Sequence, residues 1–179
     1  MIQSLCVFCG SRMGKNVRYQ EITRQLGVLL AEQRVRLVYG GGHVGLMGVA
    51  ADAVLSHGGE VVGVIPQGLV DAEAAHQGLT TLHVTRSMHE RKAMMADLSD
   101  AFLALPGGFG TLDELCEIIT WAQLRIHSKP IFLLNVDGYF DAFILFLRRG
   151  VAEGFITEDC LKLFSIISEP SDIFNLLSS

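Results

Sequence analysis

The sequence predicts one α/β domain, doubly wound around a mainly parallel sheet of about six to seven strands. Three observations predict it. Short apolar runs alternate with longer stretches of helical periodicity along the whole chain. The runs are almost uninterrupted in hydrophobicity, as expected of strands covered on both faces by helices. Several of them end in glycine-rich turns, which would then gather at the carboxyl edge of the sheet, where such folds bind ligands. At 179 residues the chain suits a single domain with one sizeable core.

Residues 3–9 read as the first strand. After a loop, residues 17–33 read as a helix, with Tyr19, Ile22, Leu26 and Leu29 on one face. Residues 35–39 form the second strand, followed by the glycine-rich stretch from Gly40 to Gly48 and a helix reaching about His57. Residues 60–65 form the third strand, stopped by Pro66. A loop over 67–79 carries Asp71 and Glu73, and 79–84 is the fourth strand. A helix over 87–98 carries Met88-His-Glu-Arg-Lys92, and 101–105 is the fifth strand. A helix with Leu112, Leu115, Ile119 and Ala122 at helical spacing comes next. The sixth strand at 130–135, a helix over 139–151, and a last strand and helix within 163–177 complete the chain. There is no internal repeat, low-complexity tract or linker.

Composition narrows the function classes. Fourteen basic against nineteen acidic residues give a net charge of −5, and no basic run exceeds Arg148-Arg149, which argues against a nucleic-acid surface. No apolar stretch reaches the roughly 18 residues of a membrane span, and the N-terminus lacks the positive region of a signal peptide, so a cytoplasmic protein is expected. Cys6 and Cys9 spell C-x-x-C, but on a strand an offset of three puts them on opposite faces with Cα atoms about 10 Å apart, too far for a disulfide. The six histidines contain no i, i+4 pair suited to a metal, so no metal site is expected.

Two glycine motifs resemble cofactor loops without matching them. The stretch from Gly10 to Asn16 has three residues between its glycines and Asn16 after the lysine, where a Walker A loop needs four and a Ser or Thr. Gly10 and Ser11 could still touch a ligand because they follow the first strand directly. Gly40, Gly42 and Gly45 spell the dinucleotide fingerprint, yet they follow the second strand, and the third ends without an acidic residue for a ribose, which argues against NAD. A mononucleotide phosphate and a plain tight turn both fit those glycines. Arg91 and Lys92, taken by themselves, read as solvated helix charges sooner than as ligands. Lys92 and Lys129 could form a Schiff base with pyridoxal phosphate, but nothing supplies that cofactor's other partners.

The most informative stretch is Leu105-Pro-Gly-Gly-Phe-Gly-Thr-Leu-Asp-Glu114, a strand-to-helix turn. Gly107, Gly108 and Gly110 would let the backbone take positive φ and approach a ligand, and the N–H groups of the helix start would favour an anion such as phosphate. Thr111 and Glu114 fit a capping box, with Thr111 as cap; alternatively Glu114 is a carboxylate aimed at substrate.

That stretch, with Arg91-Lys92, Tyr39-Gly-Gly-Gly42, Cys9-Gly-Ser11, Gly45-Leu-Met-Gly48, Val64-Ile-Pro66 and Thr120-Trp121, resembles the Lonely Guy family over essentially the whole chain. These are cytokinin riboside 5′-monophosphate phosphoribohydrolases, historically mislabelled lysine decarboxylases. The resemblance implies a Rossmann-like homodimer that hydrolyses AMP or N6-substituted AMP to free base and ribose 5-phosphate without a cofactor. It implies Arg91 and Glu114 as the catalytic pair, Gly108 to Thr111 as the phosphate turn, Glu73 as an acidic contact, and Lys92 and Thr120 as further contacts. The full substrate-binding set it points to is Gly10, Ser11, Gly41, Gly42, Glu73, Met88, Lys92, Gly107, Gly108, Phe109, Gly110, Thr111, Leu112, Asp113 and Thr120. Asp113 stands where the family often has Glu, which keeps a carboxylate. A nucleotide-binding or carrier protein of the same fold could use the same turns, but would not need Arg91 and Glu114 together.

Overall fold

The computed structural model describes residues 2–70 and 75–178, so Asp71 and Glu73 lie outside the described residues. The strands are β1 (Ser4–Phe8), β2 (Arg36–Tyr39), β3 (Val61–Pro66), β4 (Thr81–Thr85), β5 (Ala101–Ala104), β6 (Ile131–Leu134) and β7 (Ser165–Ile167). The helices are α1 (Val17–Glu32), α2 (Gly45–Ser56), α3 (Met88–Asp97), α4 (Phe109–Gln123), α5 (Asp141–Ala152) and α6 (Asp172–Ser178). Among the described residues these strands form one sheet in the order β4-β3-β2-β1-β5-β6-β7, each neighbouring pair parallel. The order reverses between β1 and β5, the position where a doubly wound sheet opens a crevice at its carboxyl edge.

The period of two along β1 divides the core. Leu5, Val7 and Cys9 point to one face and pack with Ile22, Leu26 and Leu30 of α1 and Leu46, Ala50 and Val54 of α2. Cys6 and Phe8 point to the other, where Met95 of α3, Leu115 and Ile118 of α4 and Phe140 lie. The two cysteines of the C-x-x-C pair therefore sit in different clusters, both as free thiols. Both faces being covered explains why all five residues of β1 are buried.

Local chemistry sets the helix starts. Asn16 caps α1 by accepting from the Arg18 N–H at 3.0 Å. Ser87 caps α3, accepting from the Glu90 N–H at 3.2 Å, while the Glu90 carboxylate reaches back to the Arg86 N–H at 2.7 Å. Ser87 and Glu90 thus form a variant of the capping box, in which the carboxylate takes the N–H of the residue before the cap. At Thr111 and Glu114 the box is not realised: α4 begins at Phe109 with Gly108 as its cap residue, which places Thr111 third in the helix and Glu114 nearly a full turn deeper.

Boundaries move where side chains intervene. The sixth-strand helix begins at Asp141 rather than 139, because residues 136–138 form a 3₁₀ turn held by Asn135. Asn135 accepts from the Phe140 N–H and donates to Asp141, each at 2.7 Å. The β4 ladder starts at Thr81 opposite Val62, since the Thr80 hydroxyl instead takes the Val61 N–H at 3.0 Å. Pro66 lies inside β3 as its last residue, where its missing N–H costs the ladder little. No helix among the described residues is long and apolar enough to cross a membrane.

Candidate active site

The turns after β1 and β5 meet at the reversal point. Leu105 N–H donates to Phe8 O at 2.9 Å, Gly10 N–H to Pro106 O at 3.1 Å and Leu46 N–H to Gly10 O at 3.0 Å, so β1, the 105–108 turn and α2 are stitched by backbone alone. Over this seam lies a cavity of about 150 Å³ lined by Val7, Cys9, Ser11, Gly40, Met47, Arg91, Gly108, Phe109, Gly110, Thr111 and Glu114. A larger cleft of about 410 Å³ adjoins it, sharing Ser11, Gly108 and Phe109, and is walled by Gly10, Gly107, Tyr19 and Tyr139 among others. Arg91 and Glu114, twenty-three positions apart in sequence, thus face one small space.

Arg91 is not a solvated helix charge. It is 5% exposed, and its guanidinium is fixed from β3 and from the residue that follows β2: Nε donates to Val64 O at 3.1 Å and Nη2 to Gly40 O at 3.0 Å. Its Nη1 also lies 3.8 Å from Met88 Sδ, one turn back on α3. Burying a charge is tolerated only with such partners. The glycine at position 40 is a condition of this arrangement, because a Cβ there would lie 2.0 Å from Nη2. In the sequence Gly40 stands out only as one member of a glycine run, and a run looks the same at each of its members.

The glycines of the 105–114 turn act differently from the expectation. None of Gly107, Gly108 and Gly110 has positive φ. Gly107 is required by close approach, since a Cβ there would meet Thr111 Oγ1 at 2.0 Å and the Gly10 nitrogen at 2.9 Å. At Gly108 and Gly110 the corresponding space is open, which leaves the surface of the cavity bare. The first turn of α4 contains no acidic residue, and its leading N–H groups have no acceptor within the helix, so this end suits an anion.

The electrostatics tie both charges to one spot. Burial, and next the negative charge of Glu114, push the Cys6 thiol well above the ordinary range, with a Ser99 hydrogen bond and the Arg91 charge opposing. Cys9 is raised for the first two reasons alone. Both thiols are therefore neutral and unreactive; Cys9 lines the cavity, while Cys6 lies in the core on the other face of the sheet.

The remaining predicted positions are distributed around the cavity rather than all within it. Gly41 and Gly42 are buried against residues 75 and 76 of the same chain: Gly41 O accepts from His76 N–H at 3.0 Å and Gly42 bridges to Ala75. Lys92 does not line the cavity. Its ammonium pairs with Asp113 at 3.0 Å and Glu117 at 3.1 Å, clamping α3 to α4; burial opposes its charge, but these pairs hold its pKa above the usual lysine value. Leu112 packs against the α4 side of the core. Thr120 is exposed, about 13 Å along α4 from Thr111, and donates to Cys116 O at 2.7 Å. Met88 is 40% exposed beside Arg91. Val7, Cys9 and Met47 also line the cavity; Cys9 and Met47 fall within quoted motifs, but none of the three was expected in the site, because apolar core residues carry no local signal for one.

Comparison with known proteins fits this geometry. The model of a family described as "Possible lysine decarboxylase" matches residues 47–177. The cytokinin riboside 5′-monophosphate phosphoribohydrolase LOG of Oryza sativa subsp. japonica is 50% identical over 167 residues, covering 93% of this chain and 68% of its own. A second enzyme of that name from Arabidopsis thaliana is 51% identical over 167 residues, covering 93% and 76%. Among solved structures, the molybdenum cofactor binding protein of the phototrophic bacterium Rippkaea orientalis superposes with a TM-score of 0.75 over 99% of this chain and 96% of its own, at 21% identity, a likeness of fold alone. The decarboxylase wording survives in the family description while the curated relatives are named for glycosidic hydrolysis, and by its match over residues 47–177 and its half-identity to those relatives the chain belongs to the Lonely Guy family.

Proposed function

We propose that this chain hydrolyses the N-glycosidic bond of AMP and N6-substituted AMP, the cytokinin riboside 5′-monophosphates, releasing free base and ribose 5-phosphate. The observation that carries the reading is the convergence of Arg91 and Glu114 on one small cavity at the N-terminus of α4, in a chain half identical to relatives bearing that name.

Departure of the base builds positive charge on the ribose ring. Glu114 supplies a fixed negative charge where it develops, either stabilising the cation directly or taking a proton from the attacking water. Both roles need an ionised carboxylate, and a neighbouring guanidinium favours that state. Arg91 is suited to this because its position is set by Gly40 and Val64, not by the substrate. Gly108, Phe109, Gly110 and Thr111, with Ser11 opposite, receive the 5′-phosphate on the leading N–H groups of α4. Gly10 and Gly107 shape the adjoining cleft, Met88 flanks the outer side of the cavity, and Glu73 belongs to the proposed contacts from outside the described residues. Lys92 and Asp113 act by holding α3 on α4, so that Arg91 and Glu114 keep their spacing.

A homodimer is part of the same proposal. Leu145 and Phe146 on α5 are each 68% exposed and Phe155 just beyond it is 89% exposed, apolar surface of the kind a second copy covers. Sedimentation giving the 19.5 kDa mass of one chain at micromolar concentration would count against it. Cytoplasmic residence is proposed with it, in keeping with four cysteines that are all free.

The deciding experiment is incubation of the purified protein with AMP and with N6-isopentenyl-AMP, followed by chromatography. Adenine or its N6-substituted form should appear with ribose 5-phosphate in equal amounts. Both substrates intact after prolonged incubation would overturn the proposal.

A further inference from the structure

Away from the proposed catalytic cavity, the fold assembles a group that sequence spacing conceals. His43 lies in the turn before α2, Asp52 on α2, and His76 just after the loop that follows β3. His76 Nε2 is 2.9 Å from one Asp52 oxygen and His43 Nε2 is 3.3 Å from the other. The two imidazole rings lie 4.3 Å apart, and one ligand atom from each of the three residues falls within 4.8 Å of the other two. From this geometry we infer that His43, Asp52 and His76 form a binding site for a divalent transition-metal ion of the zinc type.

The chemistry of the donors selects the ion class. Two imidazoles and one carboxylate suit Zn²⁺ and its neighbours far better than Mg²⁺ or Ca²⁺, which prefer oxygen shells. Bonds of about 2.0–2.1 Å in a tetrahedral shell place ligand atoms about 3.3 Å apart, so the three donors, all within 4.8 Å of one another, need close by no more than about 1.5 Å to hold an ion. His43 and Asp52 side chains are 52% and 58% exposed, so an ion can enter and complete its shell with water, while His76, 7% exposed, anchors the site to the fold.

One contact sets the affinity. His76 Nδ1 accepts from the Gly78 N–H at 3.0 Å, so without an ion the ring proton resides on Nε2 and faces Asp52. Metal ligation uses the Nε2 lone pair, and the proton moves to Nδ1, where it displaces the Gly78 N–H. A ligating histidine ordinarily turns its second nitrogen to a carbonyl or carboxylate, and lacking that support weakens binding by roughly 10–100-fold. Affinity is therefore on the order of micromolar, and loading perturbs the Gly78 amide. A bound ion would fasten residues 75–78 to α2, next to the Gly41 carbonyl that His76 N–H already holds.

The test uses the full chain without a histidine tag, treated with chelator and titrated with Zn²⁺ by calorimetry, with Co²⁺ absorption as a second readout. One equivalent should bind, the cobalt form should show the intense visible bands of a four-coordinate site, and the melting temperature should rise by roughly 5–10 °C at a hundredfold excess over Kd. His43→Gln and Asp52→Asn, both at half-exposed positions, should fold as the parent does and lose at least tenfold in affinity. No binding up to 200 µM, or binding equally strong in both variants, would overturn the inference.

Discussion

Gly40→Ala is the substitution that tests most directly how the arginine is held. The added Cβ would lie 2.0 Å from Arg91 Nη2 and 3.1 Å from Cζ, and contacts under 3.0 Å do not occur in real structures, so the guanidinium must retreat by at least about 1 Å. The retreat breaks the 3.0 Å bond to Gly40 O, a hydrogen bond from a charged donor worth about 1.5–3 kcal/mol. In a domain of this length that is a fall in melting temperature of roughly 3–12 °C. A misplacement of about 1 Å in a positioned catalytic group costs on the order of a hundredfold in rate. Turnover of AMP should therefore fall far more than folding suffers, and the loss should appear in kcat because Arg91 acts on the carboxylate rather than on ground-state affinity. Thermal melts and steady-state kinetics on the same preparations separate the two effects. If Gly40→Ala turns AMP over within threefold of the parent, a fixed Arg91 guanidinium is not required and its assigned role fails.

Glu114→Gln should remain folded, because α4 is capped at Gly108 and owes nothing to a box at position 114; turnover should drop by roughly a hundredfold or more, and near-normal kcat would remove Glu114 from the mechanism. Adenosine should be a far poorer substrate than AMP, since contacts to the remote phosphate on α4 can be used at the reacting bond; equal kcat/KM for the two would contradict the phosphate turn. Asp100 accepts from the Gln3 and Ser4 N–H groups at 2.7 and 3.0 Å, and these bonds, the first above all, hold its carboxyl below the usual aspartate range. A lowered folded-state pKa stabilises the protein above the unfolded value of about 3.9, and this is lost as pH falls through the folded value. Asp100→Ala should thus lose at most about 1 kcal/mol at neutral pH, given how exposed the pair is. Melts across pH should show that deficit shrinking below about pH 4, and a deficit independent of pH would show that the charge is not what matters.

What the sequence determined by itself was what local pattern encodes. Apolar runs interleaved with periodic stretches were enough for the parallel doubly wound sheet, because a strand buried on both faces and a helix buried on one leave different periods in the chain. The opposed faces of Cys6 and Cys9 followed from the pleat alone. The 105–114 stretch was legible as a ligand-facing strand-to-helix turn, whereas Arg91, one charge on a helix, was singled out only by the family resemblance. Side-chain reach across the fold was not legible. Whether Thr111 and Glu114 form a cap depended on where α4 starts, and the packing of Gly107 on Thr111 and Gly10 decided that. That position 40 must lack a side chain was fixed by an arginine fifty-one positions away, whose guanidinium occupies the place of its Cβ. His43, Asp52 and His76 have no periodic spacing at all and meet because β2 and β3 are neighbours in the sheet, so the segments leaving their carboxyl ends converge on α2. Tertiary structure decides such groupings because hydrogen bonding and steric exclusion act over a few ångströms of space, whatever the separation along the chain.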